Sequence, residues 1–292
     1  MSAEALPAPQ NLKAAGLAAL GFAVFSGTDA TVKLMAQDLS VPQVTFMVTG
    51  MALVLTVFFT LVTGDADALR PRQPGLATLR GLLLGADTLL IYYAFTRLDL
   101  AEAYLLAFLA PALTALLALI LLGERVSTRG WLGISLGFCG VLVALRPGVA
   151  AINLGHAAAI GSALLFALSL ILLRRIKVGE SDAALITVLL LVLNVITLGL
   201  TLFGGGFEPA TPQHFGLAAL SALLMVLGHL FLIRAGRNGA AAIVAPFQYS
   251  QIIWACLLGL LVFNTPIEAR VLVGTGIIIL SGWMVLKQGD TP

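Results

Sequence analysis

Charge is scarce in this chain: 10% of its 292 residues are Asp, Glu, Lys or Arg, against about 25% in soluble domains. Hydrophobic residues make up 60% and the mean hydropathy is +1.04. A soluble globular domain is excluded, and the composition is that of an integral membrane protein whose first partner is the lipid bilayer. The net charge of +2, with Lys and Arg scattered through short breaks, gives no basic patch for nucleic acid. Cys139 and Cys256 are the only cysteines, and both lie inside apolar runs as small packing residues. The three histidines stand apart at 156, 214 and 229, with no HExxH and no clustered Cys, so no metal site is expected. A GxxxxGK[ST] sequence is absent and no break could hold a nucleotide-binding domain, which excludes ATP hydrolysis by this chain. No cofactor is implied, and no motif supports a membrane-embedded enzyme.

Long apolar windows are what the sequence has instead. A helix crossing the hydrocarbon core needs about 20 mostly apolar residues. Such windows recur ten times, at 14–36, 42–63, 76–96, 101–122, 130–146, 154–174, 183–203, 214–235, 239–261 and 270–286. Between them fall turn-rich breaks such as TGDADALRPRQPG (63–75) and GGGFEPATPQ (204–213). The first window runs on past a signal-peptide length and is read as an uncleaved helix. With the N-terminus in the cytoplasm, twelve of the sixteen cations fall on that side, and only Lys33, Arg97, Arg146 and Arg270 fall in the outer half. The positive-inside rule therefore puts both termini in the cytoplasm of a multi-pass plasma-membrane protein, the inner membrane if the cell is bacterial. Glycines three or four apart, Gly81 and Gly85 or Gly133 and Gly137, are read as close helix contacts.

The order of features repeats. AEAYLLAFLAPALTALLALILLGE, from Ala101, lies over AAAIVAPFQYSQIIWACLLGLLVFN, from Ala240; each follows a short cationic break, contains a proline and precedes a Gly-rich last window. Windows one to five and six to ten become two copies of one unit, residues 1–147 and 148–292, within one membrane domain. Five is odd, so the second copy crosses in the opposite sense. The expected fold class is thus an all-α integral membrane protein of ten transmembrane helices in two inverted five-helix repeats. Such halves can rock about a site near the midplane, as a carrier requires, and a further subunit is not needed to complete it.

YYAFTRLDLAEAYLLAFLAPALTALLALILLGERVSTRGWLGISLGFCGVLVAL (92–145) resembles the EamA-type carriers of the drug/metabolite transporter superfamily. Its proline-containing fourth span with Pro111, the turn Leu122, Gly123, Glu124 and the Gly-rich fifth span carry the likeness, as does FSGTDATVK ending in Lys33. The chain departs from the family at Phe263 and Asn264, where Gly-Glu often recurs, and at Phe25, where Trp is common. Within the superfamily it is similar to the YddG-type exporters of aromatic amino acids.

Polar groups inside the windows mark the expected cavity. In window one, Ser26, Asp29 and Lys33 follow Phe22 along one helix face. Two full charges in such a run need a reason, because each costs about 2.5–3.5 kcal/mol at a bilayer centre; they stand four apart, so mutual pairing is one reason and a functional cavity wall the other. Asp87 lies near the centre of window three and needs a partner on another helix, water or a proton; Tyr92 follows it. Tyr104 and Phe108 form an aromatic stripe with Pro111, and Gln248, Tyr249, Gln251 and Trp254 lie in the polar run PFQYSQIIW at the centre of window nine. His229 is a polar contact or proton acceptor in window eight. Glu124 and Arg125 form a possible gate or helix-end ion pair.

These residues suit a small amphiphile with a flat body and a zwitterionic end, so the expected activity is export of aromatic or other large apolar amino acids. Proton coupling, if present, would run through Asp87 or the Asp29 and Lys33 pair. The alternatives are cationic drugs, nucleobases or sugar derivatives as cargo, and, further off, a membrane-embedded enzyme.

Overall fold

The computed structural model describes residues 8–64, 66–98, 100–124, 126–145, 152–176, 179–264, 266–267 and 269–286. Every long element is a helix: α1 (Ala8–Met35), α2 (Val41–Val62), α3 (Pro74–Arg97), α4 (Leu100–Ala107), α5 (Ala110–Leu117), α6 (Thr128–Leu145), α7 (Leu154–Arg175), α8 (Asp182–Phe203), α9 (Pro212–Asn238), α10 (Ala241–Val244), α11 (Gln251–Phe263) and α12 (Ala269–Leu286). Among the described residues, eight stretches are long and apolar enough to cross a membrane, and α6 and α12 are shorter apolar helices. The ten expected spans are all present, with α4 and α5 making the fourth and α10 and α11 the ninth.

Both composite spans break near a proline. Pro111 enters at the start of α5 after an irregular step at Phe108 and Leu109, and Pro246 opens a 3-10 turn, Ala245–Ser250, between α10 and α11. Proline removes a backbone donor and clashes with the preceding turn, so the α ladder is interrupted there. The same kind of interruption thus occurs in corresponding spans of the two halves. Each composite span also ends on a left-handed residue, Gly123 (φ 68) and Asn264 (φ 51). Glycine reaches that region without cost, and asparagine is among the few side chains that tolerate it, so the second half keeps the turn without keeping Gly-Glu.

Packing follows a two-fold pattern. The main helix partners are α1 with α9, α3 with α7, α2 with α8, and α6 with α12. Exchanging the two halves turns the first pair into the second and leaves each of the other two pairs unchanged. Lesser contacts obey the same exchange: α1 meets α11 as α7 meets α5, and α3 meets α8 as α9 meets α2.

Two seams lie on the exchange axis. Along α2 and α8, buried Thr49, Thr56, Thr60, Thr197 and Thr201 donate to carbonyls one turn back, at 2.7–2.8 Å. This satisfies hydroxyls that have no water to bond. Asn194 crosses the seam to the Phe46 carbonyl at 3.0 Å and Thr49 Oγ1 at 3.2 Å. At the other seam, α6 and α12 approach backbone to backbone: a Cβ on Gly140 would stand 2.9 Å from the Gly274 carbonyl, and one on Gly274 2.6 Å from that of Gly140. Ser281 Oγ donates to the Gly133 carbonyl at 2.7 Å across the same seam. The expected contacts at Gly81 and Gly85 are met by Val192 and Ile196 of α8.

Candidate functional site

The site is assembled by α1 against the broken ninth span. Ser26 Oγ donates to the Phe22 carbonyl at 3.0 Å and lies 3.5 Å from the carbonyl of Gln251, at the join of the 3-10 turn and α11. Farther along the same face of α1, Asp29 and Lys33 are both exposed. Lys33 Nζ stands 4.6 Å from the centroid of the Phe263 ring, within range for a cation–π contact. The two charges do not bond each other: among the described residues no ion pair joins Asp29 to Lys33, although their four-residue spacing allowed it. Lys33 has instead turned toward α11.

Asp87 accepts a short hydrogen bond from the Ser162 hydroxyl, which ties α3 to α7. The carboxyl thus finds the inter-helix partner that its own span lacks. His229 packs edge-on against Phe25 with centroids 4.9 Å apart, and its Nδ1 is buried without a partner. Gly228 makes room for this, since a Cβ there would meet the Phe25 ring at 2.8 Å.

The aromatic residues separate into two settings. Tyr104 stacks on Phe108, and Phe108 meets Tyr249 edge-on, each pair at 6.1 Å. Phe108 (4% exposed) and Tyr249 (0%) are packed with Val141, Ile252 and Ile278, so in this conformation they form core between spans four, five, nine and ten rather than an open wall. Gln248, Gln251 and Trp254 are half-buried, and Gln248 Oε1 has no partner. The side chain of Tyr92 and residue Arg125 lie outside the described residues. Two shallow hollows, about 310 Å³ beside Gly50 and Val54 and about 360 Å³ beside Arg129 and Trp283, include none of the residues singled out in the sequence.

At the bundle end that holds the N-terminus, acidic side chains bind helix starts and arginines. Glu124 pairs with Arg174, at 3.1 Å, and its other oxygen accepts from the Ala241 N–H at 3.0 Å. Glu180, 3% exposed, accepts from the Arg72 and Gln73 N–H groups ahead of α3, at 2.9 and 2.7 Å. Asp182 holds Arg234 and Arg237. At the opposite end Glu208 accepts from the Ser40 N–H at 2.7 Å and His214 meets Asp38 at 3.1 Å. Carboxylates at helix N-termini satisfy otherwise unpaired donors and complement the helix dipole. Sequence reasoning missed Glu180, Ser162 and Glu208; for the two glutamates an acidic residue in a turn-rich break was the signal available, and Ser162, a small polar residue inside an apolar window, gave none.

The pattern of the EamA-like transporter family matches residues 12–146 and again 153–287. The chain belongs to the EamA-like transporter family. It is therefore a secondary transporter of the drug/metabolite superfamily, a multi-pass membrane carrier of small molecules and not an enzyme. It is 27% identical over 219 residues to an S-adenosylmethionine uptake transporter of Rickettsia prowazekii (strain Madrid E), covering 73% of this chain and 72% of that one. It is 23% identical over 273 residues to the pseudopaline exporter CntI of Pseudomonas aeruginosa (strain UCBPP-PA14), covering 93% and 95%. A riboflavin transporter of Rhizobium johnstonii is 27% identical over 187 residues, covering 64% and 62%. A crystal structure superposes with a TM-score of 0.78 at 18% identity, over 97% of this chain and 98% of the other, and shares the fold of this EamA-like chain.

Proposed function

We propose that this carrier exports amphiphilic metabolites with a charged end and a large apolar body, moving them by alternating access between the repeats 1–147 and 148–292. Aromatic and other large apolar amino acids are the leading cargo. The observation that carries the reading is the pair Asp29 and Lys33, two exposed charges on the face of α1 that packs against broken span nine, not spent on each other. An ammonium and a carboxylate on one ligand would answer both. Trp254 and Phe263 supply aromatic surface on the facing helix, and Gln248 supplies an unsatisfied polar atom. The distribution of Lys and Arg supports cytoplasmic termini, so the end bearing Glu124 and Glu180 faces the cytoplasm.

The relatives favour a second reading, a larger cargo than a free amino acid, because S-adenosylmethionine and riboflavin appear in their names. S-adenosylmethionine combines an amino-acid end with a flat ring, which the same two charges and the aromatic surface beside them would recognise by the same chemistry.

The test is purified protein in liposomes with labelled phenylalanine, tryptophan, S-adenosylmethionine, riboflavin, a sugar derivative and a cationic drug, each with and without a pH gradient. Saturable transport of an aromatic amino acid, competed by its analogues, is the expected result. Saturable transport of the sugar derivative with none of the amino acids rejects the cargo assignment.

A further inference from the structure

Arg80 is a charged group that the fold buries and, among the described residues, does not pair. It lies in α3, six residues past Pro74, and is 1% exposed. Its Nε has no hydrogen-bond partner, and no ion pair or hydrogen bond to Arg80 exists among the described residues. A long charged side chain near a helix end ordinarily reaches out to the headgroups. This one is enclosed.

The surrounding helices explain why no acid neutralises it. On α3, Gly81 and Gly85 take the face against α8, while Arg80 shares its stripe with Asp87, two turns farther in and about 10 Å along the axis. Asp87 is bonded to Ser162. Arg237 draws on Asp182 and on the Glu180 carbonyl at 2.6 Å. Glu180 itself is taken by the backbone of Arg72 and Gln73, and Glu124 by Arg174 and Ala241. Each carboxylate described at this end therefore has its own partners, and none of them pairs with Arg80.

A buried guanidinium is tolerable when an anion arrives to pair with it, and its planar fork matches a carboxylate in two-point fashion. We infer that Arg80 is a carboxylate receptor on the N-terminal half of the transport pathway, which binds the acid group of the cargo before it reaches Lys33 on the other side of the midplane. This rests on the carrier reading above and narrows the cargo to molecules bearing a carboxylate. Arg80 and Lys33 lie toward opposite ends of helices that both run from the N-terminal end outward, so the acid group has one cationic station on each side.

The test uses full-length protein in detergent and reads the midpoint of thermal unfolding with three matched pairs: acetate and acetamide, phenylacetate and phenylacetamide, phenylalanine and phenylalaninamide. Inorganic phosphate is the control anion. A carboxylate should raise the midpoint where its amide does not, with the shift kept in part by Arg80→Lys and lost in Arg80→Gln. No shift with any carboxylate, a shift that survives Arg80→Gln, or a shift with phosphate alone overturns the inference. If Arg80→Gln does not fold, phenylglyoxal modification of the wild type decides, read at Arg80 by mass spectrometry. Carboxylate should slow it severalfold over the amide, and equal rates overturn the inference. A carboxylate shift through Arg80 without amino-acid transport in liposomes rejects the amino-acid cargo and leaves the receptor standing. Transport of amino acids without any such shift does the reverse.

Discussion

Glu124 binds Arg174 through one carboxylate oxygen, at 3.1 Å, and the Ala241 backbone N–H through the other, at 3.0 Å. One side chain thereby joins the turn after span four to span six and to the first residue of span nine. Both bonds are charge-assisted and mostly buried, so each is of the class that contributes about 1.5–3 kcal/mol. Glu124→Ala should lower the thermal midpoint of the purified protein clearly. Glu124→Gln should lower it less, because an amide oxygen still accepts from Ala241. Equal losses in the two variants would show that the bond to Ala241 contributes nothing.

The pair in α1 gives a second expectation. Asp29 and Lys33 are not bonded to each other, so Asp29→Asn and Lys33→Met should act independently. Each is expected to reduce transport about tenfold, the effect of losing about 1.4 kcal/mol of interaction with a charged ligand group, while folding is kept. Their effects should add in free energy in the double variant. A double variant no worse than either single one would mean that the two charges pair in the working protein. Normal transport by both single variants would remove them from the site.

Much of this architecture could be read from the residues, and the reasons are local. Long apolar runs with polar breaks located all ten spans to within a few residues, α1 excepted, where the helix begins at Ala8 rather than near residue 14. Pro111 and Pro246 were read as marks of the repeat, and the breaks beside them, including the 3-10 turn over APFQYS, are seen only in the structure. The site was harder. Asp29 announced itself because a charge in an apolar run is conspicuous. Arg80 did not, because it sits close enough to a polar break to pass as a loop cation, and only the packing of α3 against α7 and α8 encloses it. Tyr104 and Phe108 were legible as a stripe with Pro111 and Tyr249 as part of a polar run, yet whether such residues face a cavity or a core depends on helices far away in sequence.

Asp87 and Ser162 offer a third prediction. Ser162→Ala removes the hydroxyl that donates to the Asp87 carboxyl in the interior and should destabilise the protein by about 1–3 kcal/mol. Asp87→Asn keeps an oxygen that can accept from Ser162, so its folding should survive. If Asp87 is the proton carrier, transport by Asp87→Asn will no longer respond to an imposed pH gradient in liposomes. An unchanged gradient response in this variant removes Asp87 from proton coupling.

Tyr249 and Gly137 separate packing from recognition. The Tyr249 hydroxyl is buried with no partner, and its ring fills the space at Gly137, where a Cβ would stand 2.5 Å from ring carbon Cδ2. Removing an unsatisfied hydroxyl should be neutral or stabilising, by up to about 1 kcal/mol, so Tyr249→Phe should hold or raise the thermal midpoint and transport at the wild-type rate. Gly137→Ala should be damaging, because the atom in its way is a ring carbon held between α6 and α11 rather than the end of a flexible chain. Tyr249→Phe should not rescue it, since the ring is retained, whereas Tyr249→Leu in the same background should restore part of the lost stability. A Tyr249→Phe variant that folds with an unchanged midpoint but transports poorly would instead assign the hydroxyl to the cargo, and would mean that the aromatic core between spans four and nine opens during the transport cycle.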